Sequence, residues 1–251
     1  MFKTLLARAR QGYRTAAYAG QDPGLPALFR GRPVLDPDKC VTGCTECIDV
    51  CPTDALRVTE SGLELDIGRC IFCGDCIAAC PEGAITFSRD WRLAASKREG
   101  LAASGDRPLQ IDALSRELRR LLGRSLRLRQ VSAGGCNGCE VEVNALGNVV
   151  FDSSRFGIDF VASPRHADGV LVTGPVTANM KEALLITYQA IAEPKLVIAA
   201  GACAISGGLY RDHQEVSNGV EGLLPVDLYV PGCPPHPFTI LDGIMRLLGR
   251  L

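Results

Sequence analysis

The sequence predicts two domains of different class: a small α+β domain folded around cysteines, then an α/β domain on a doubly wound parallel sheet. Three observations carry this. Eight of the twelve cysteines fall within residues 40–80, and the stretch that holds them repeats itself. From residue 126 onward, apolar runs alternate with helical ones, the pattern of strand–helix–strand units. The expected divisions are a basic amphipathic segment at 1–30, the cysteine-rich domain at 31–90, a linker and basic helix at 91–125, and the α/β domain at 126–251.

The totals narrow the function classes. A chain of 251 residues has room for one large domain or two small ones. A formal net charge of -1 gives no sign of a nucleic-acid partner, which would ask for a markedly basic surface. No run of 18 uncharged apolar residues is present to span a membrane. The N-terminus shows no apolar signal-peptide core or small-residue cleavage site, so the expected compartment is the cytosol. Disulfides are rare there, and twelve cysteines then call for metal or redox chemistry.

The opening stretch, "MFKTLLARARQGYR", is helical by pattern. Phe2, Leu5, Leu6 and Ala9 share a face, Lys3, Arg8, Arg10 and Arg14 are basic, and no acid occurs. It suits a membrane surface or a membrane subunit, or equally a locally packed terminus.

Next come two copies of one motif, "DKCVTGCTECIDVCPTDAL" and "GRCIFCGDCIAACPEGAI". The second reads C-x2-C-x2-C-x3-C-P, the bacterial ferredoxin run for a 4Fe–4S cluster. Three closely spaced thiolates wrap one face of a cube, and the fourth leaves along a short helix to ligate the other cluster. By this rule Cys70, Cys73, Cys76 and Cys51 hold one cluster, and Cys40, Cys44, Cys47 and Cys80 hold the other. The first run departs from the pattern, with one extra residue between Cys40 and Cys44. Gly43 is placed to absorb it in a turn. Paired zinc knuckles, the competing reading, use two C-x-x-C pairs across a longer loop and not duplicated triple runs ending in Cys-Pro. The expected fold is a ferredoxin-like two-cluster domain.

Residues 89–129 carry eleven Lys/Arg against five Asp/Glu. "AASKREGLAASGDRP" has the composition of a surface linker. "QIDALSRELRRLLGR" follows as an amphipathic helix, with Leu114, Leu118, Leu121 and Leu122 expected on one face. That face either packs on its own domain or docks an acidic partner.

In the second half, "LRLRQVSAG", "IDFVAS", "GVLVTG", "KLVIAAG" and "VDLYVPG" read as strands. Helices follow the C-x-x-C and cover "NMKEALLITYQAIAE" and "PFTILDGIMRLLG". The doubly wound, flavodoxin-like sheet this implies gathers its loops at the carboxyl ends of the strands. Cys136 and Cys139 follow the first strand, Cys203 sits in "GACAISGG" after the fourth, and Cys233 sits in "VPGCPPHP" after the last. All four therefore converge on one crevice. Glycines at 134, 135, 201 and 232 leave room there for a bulky group. Four thiolates suit a 4Fe–4S cluster or zinc. A thioredoxin-type pair would leave Cys203 and Cys233 unexplained. "GACAISGG" is not G-x-G-x-x-G and no G-K-[ST] follows, so nucleotide binding has no support.

"GGCNGCEVEVNAL", "RFGIDFVASPRHADGVLVTGPVTANM", "GACAISGG" and "VDLYVPGCPPHPFTILDGI" resemble the small subunit of membrane-bound, complex I-related nickel–iron hydrogenases, the formate hydrogenlyase and energy-converting group. Respiratory complex I carries the same module, usually with adjacent cysteines where this chain has Cys136-x-x-Cys139. The first 90 residues, "LFRGRPVLDPDKC" included, resemble the two-cluster ferredoxin subunit of these complexes, so two subunits look fused. The resemblance implies an electron-transfer subunit with three 4Fe–4S clusters, the third on Cys136, Cys139, Cys203 and Cys233. It implies a large catalytic partner subunit, membrane subunits, a soluble electron donor or acceptor, and a peripheral place on the cytoplasmic side of the inner membrane. All twelve cysteines are used by the clusters, so no catalytic residue is expected in this chain. Two alternatives stay open: a complex I-like or hydrogenase-related assembly whose large subunit lacks nickel and serves a quinone or another acceptor, and a zinc-stabilised scaffold.

Further residues are singled out. Glu140 either relays protons at a subunit interface or complements the dipole of its helix. Arg165 and His166 either donate hydrogen bonds near the third cluster or the partner subunit, or belong to a surface loop. His213 and His236 are expected to be structural, because four cysteines complete the site. Pro234 and Pro235 are expected to stiffen the loop after Cys233.

Overall fold

The computed structural model describes residues 2–18, 24–41, 43–60, 62–103, 109–122 and 125–251. The first element, helix α1 (Phe2–Gln11), leaves every residue exposed. After it, Tyr18 packs on Phe156 and Phe238 of the second domain, and the Arg155 guanidinium donates to the Ala16 carbonyl at 2.8 Å.

The cysteine-rich domain combines two small antiparallel sheets with two short helices. Strand β1 (Pro33–Leu35) pairs with β4 (Ile85–Phe87). Strands β2 (Leu56–Thr59) and β3 (Gly62–Asp66) pair in the register Leu56↔Leu65. Helices α2 (Glu46–Asp49) and α3 (Asp75–Ala79) each carry the third cysteine of a run and end just before the fourth, as the motif requires. Leu35, Leu56, Leu65, Ile67 and Ile85 close the core between them.

The expected linker is only partly a linker. Residues 104–108 and 123–124 lie outside the described residues, but 93–103 are packed structure. Leu93, Ala94, Ala95 and Leu101 are buried. Strand β5 (Ala102–Ala103) adds to β3, and Ala95 exchanges two backbone hydrogen bonds with Tyr229 of the second domain. Arg98 makes a two-pronged ion pair with Asp66 at the end of β3. Polar, small-residue composition pointed to a free loop. Burial of Leu101 alone is worth roughly 1.5–3 kcal/mol, enough to hold such a segment down.

Helix α4 (Arg116–Leu122) lies on its own domain. Leu122 is buried, Leu114 and Leu118 are half-buried, and the Leu114 amide donates to the Leu247 carbonyl. Leu121 corrects the expected stripe: it is 61% exposed, because it lies roughly 100° around the helix from Leu122.

The second domain is a five-stranded, wholly parallel sheet. Its strands are β6 (Leu126–Ser132), β7 (Ile158–Phe160), β8 (Gly169–Thr173), β9 (Leu196–Ala200) and β10 (Leu228–Val230). They lie in the order β10-β9-β8-β6-β7. Side chains alternate between two cores: Leu126, Leu128, Leu171 and Ile198 face one, and Val131, Val170, Val172 and Val197 the other. Helices α5 (Gly138–Ala145) and α8 (Pro237–Leu247) contribute to the first core, and α6 (Ala178–Gln189) to the second. Both faces are therefore wound, and the strands read as continuous apolar runs because both faces are buried. The expected strands and helices are all present. "GACAISGG" adds a short helix, α7 (Ala202–Ser206), where a loop was expected. Among the described residues, no helix is long and apolar enough to cross a membrane.

Candidate metal centres

The duplicated runs place their cysteines in two separate groups. Cys40, Cys44, Cys47 and Cys80 line one pocket, and Cys51, Cys70, Cys73 and Cys76 line another. Each group takes three cysteines from one run and the last of the other, the exchange the ferredoxin rule expects. The inserted residue between Cys40 and Cys44 is accommodated by a turn: the Cys44 amide donates to the Val41 carbonyl at 3.1 Å, and Gly43 takes φ +83°. A residue with a Cβ would be strained in that left-handed backbone. Thr42, within the insertion, lies outside the described residues.

The repeat extends to hydrogen bonds that the motif does not mention. The Ala55 amide donates to the Cys51 sulfur and the Ala84 amide to the Cys80 sulfur, each at 3.2 Å. The Phe72 amide donates to the Cys70 sulfur at 3.3 Å. Both alanines stand four residues after a Cys-Pro cysteine, in "CPTDA" and "CPEGA". The shared Ala was the available signal for them. Arg30, which sequence reasoning missed, spreads its guanidinium on the ligand loop and donates to the carbonyls of Phe72 (2.6 Å) and Cys73.

The third group assembles from three distant loops. Cys136 and Cys139 lie at the start of α5, just beyond β6. Cys203 lies in the first turn of α7, beyond β9, and Cys233 follows β10. Cys139 is within electrostatic reach of Cys136, Cys203 and Cys233. The backbone makes room for a group between them: a Cβ on Gly201, at φ +94°, would stand 2.5 Å from the Cys139 sulfur.

Among the described residues, no three His, Cys, Asp or Glu side chains close in as they would on a single metal ion. A four-iron cube holds its thiolates at its corners, farther apart than the ligands of one ion. Donor chemistry and surroundings fit such a cube: sulfur donors in fours, and backbone N–H groups turned on three of them. Burial pushes the Cys70 thiol up to about 12, and those of Cys76 and Cys203 to about 11; it also raises Cys139. Buried thiols of this kind hold their protons until a metal displaces them.

The second group stands between the other two. Cys76 is within electrostatic reach of Cys47 in the first pocket, and Cys233 is within reach of Cys73 in the second. A cavity of ≈ 280 Å³ lies between the domains beside Cys233, with Arg30, Phe72, Glu142 and His236 on its wall. The Ser206 hydroxyl donates to the Gly68 carbonyl at 3.1 Å, tying α7 to the cysteine-rich domain.

Of the other singled-out residues, Glu140 is 7% exposed and accepts hydrogen bonds from Ser132 and Thr173. The Nδ1 atoms of His213 and His236 accept from the Glu215 and Phe238 amides, a local structural contact for each. Arg165 and His166 belong to a turn that leads into Asp168, whose amide donates to the Arg127 carbonyl near the start of β6. The cysteines lie at the opposite end of that strand. Because the strands are parallel, a residue leading into one cannot reach the loops that leave it.

Two family models match the chain: a 4Fe-4S dicluster domain over residues 32–89, and the 20 kDa subunit of NADH ubiquinone oxidoreductase over residues 136–247. Formate hydrogenlyase subunit 7 of Escherichia coli (strain K12) is 43% identical over 148 residues, which are 57% of this chain and 58% of that protein. The probable membrane-bound hydrogenase subunit mbhJ of Pyrococcus furiosus is 42% identical over 135 residues, 54% of this chain and 81% of that one. An NADH-quinone oxidoreductase subunit of Geotalea daltonii is 48% identical over 113 residues, 45% and 66% of the two chains. This chain thus spans little more than half of the first relative.

Proposed function

We propose that this chain, which belongs to the family of the NADH ubiquinone oxidoreductase 20 kDa subunit and its hydrogenase counterparts and carries a 4Fe-4S dicluster domain ahead of that module, is an electron-transfer subunit of a complex I-related, membrane-associated hydrogenase. The carrying observation is the succession of three four-cysteine groups, each next to the one before. In this reading Cys40, Cys44, Cys47 and Cys80 hold the first 4Fe–4S cluster. Cys51, Cys70, Cys73 and Cys76 hold the second, and Cys136, Cys139, Cys203 and Cys233 hold the third. Bound clusters would supply one-electron redox chemistry.

The chain's own residues do the rest. They set the thiolates in fours, and the Ala55, Phe72 and Ala84 amides stabilise negative charge on three sulfurs. Arg30 fixes the loop between the second and third groups. Catalysis then resides in a nickel–iron large subunit that faces the third group, and a soluble donor or acceptor meets the first. The domain division at 31–90 and 126–251, ferredoxin-like then flavodoxin-like, follows from the same reading. So does a peripheral position on the cytoplasmic side of the inner membrane, α1 facing the lipid. The 48% identity to a quinone oxidoreductase subunit favours a second reading, in which the large subunit lacks nickel. The C-x-x-C spacing at Cys136 and Cys139 supports the hydrogenase branch.

The test is iron, sulfide and zinc analysis with low-temperature EPR on anaerobically purified chain. The expected result is about twelve iron per chain and three cluster signals, with one signal lost or altered in Cys203→Ser. About eight iron with one zinc would end the wire in the first domain and overturn the third assignment.

A further inference from the structure

Glu140 lies directly after the third-group ligand Cys139, in the first turn of α5. An acid there is usually a solvated complement to the helix dipole. Glu140 is instead 7% exposed, enclosed between the ends of β6 and β8. The Ser132 and Thr173 hydroxyls each donate to its Oε1 at 2.6 Å, and Thr173 is itself fully buried. No Lys, Arg or His side chain pairs with Glu140 among the described residues. A buried carboxylate without a cation is costly, and hydroxyl donors offset only part of that cost.

We propose that Glu140 is a fixed negative charge that lowers the reduction potential of the third cluster. The inference rests on the reading above, in which Cys136, Cys139, Cys203 and Cys233 hold that cluster. Reduction adds an electron to the cluster, and a neighbouring anion opposes it. Two features support a standing charge. Both hydroxyls donate to one carboxylate oxygen at short distance, and such hydrogen bonding favours the charged form. The carboxylate also stands against the ligand loop: a Cβ on Gly135, the residue before Cys136, would be 3.3 Å from Glu140 Oε1. Glu140 is not a cluster ligand in this reading, so its role is to set a potential.

Glu140→Gln tests it, because the amide oxygen can still accept from both hydroxyls while the charge is gone. Potentiometric titration of the purified full chain, read by EPR, is expected to show the third signal moving positive. The shift is on the order of tenfold in the reduced-to-oxidised ratio at fixed potential, about 59 mV for one electron. The two first-domain signals should stay in place. Glu140→Asp, which keeps the charge, should stay near wild type. If Glu140→Gln does not load its third site, Glu140→Ala provides the neutral form. An unmoved third signal in the neutral variants would overturn the proposal, as would equal shifts in the Asp and Gln variants, which would mark a packing effect. A wild-type chain with only about eight iron and no third signal would sink the underlying reading first and take this inference with it.

Discussion

At the scale of single residues, the third group depends on what is absent as much as on its cysteines. Gly201 combines φ +94° and ψ 154° with a close approach to the Cys139 sulfur. Gly201→Ala therefore meets two penalties, roughly 1–3 kcal/mol of backbone strain and a methyl group in the space a cluster would take. The expected outcome is a chain that keeps its first-domain signals but loses about four iron, with a lower melting temperature. Iron analysis and a thermal melt check it, and full iron content would show that the crevice relaxes around the methyl. The cysteines, Gly43 and Gly201 were all legible in the sequence. The hydroxyls on Glu140 were not, because Ser132 and Thr173 stand on different strands and meet only when β6 and β8 pair.

Among the elements, the segment between the domains is the least expected. Ala95 bridges to the edge of β10, β5 extends β3, and Arg98 grips Asp66. The Asp66 carboxylate also accepts from the Gly68 amide, two residues before Cys70. Arg98→Ala should thus loosen the turn that leads into the second cluster run. With both side chains about one-fifth exposed, the ion pair and its hydrogen bonds are worth roughly 1–2 kcal/mol after allowance for solvent screening. A lower denaturation midpoint and faster proteolysis between the domains are expected, with all clusters loaded at low temperature; unchanged proteolysis would show that Ala95 and β5 suffice. No periodicity marks this segment, because much of its burial comes from partners over a hundred residues away.

For the whole molecule, charge is unevenly spread. Residues 1–14 hold Lys3, Arg8, Arg10 and Arg14 with no acid, in a chain whose net charge is -1. Phe2 and Leu5 on α1 are 77% and 61% exposed. A basic amphipathic helix of this kind suits an anionic lipid surface, though a short one binds weakly. Deletion of residues 2–14 is expected to reduce co-sedimentation with phosphatidylserine-containing vesicles and leave the cluster signals intact. Binding by the full chain should fall as salt is raised. Equal sedimentation of both forms would place the membrane contact elsewhere.

What the sequence by itself determined is the chemistry. Ligand type, the grouping of the first eight cysteines and the strand–helix alternation are all local patterns, set by spacing along the chain. Tertiary structure decided what depends on pairing between distant segments. It brings Cys136, Cys139, Cys203 and Cys233 together, because parallel strands put all their carboxyl ends on one edge. It also decides the burial of Glu140 and the order in which the three groups stand, because domain docking sets Cys73 within reach of Cys233.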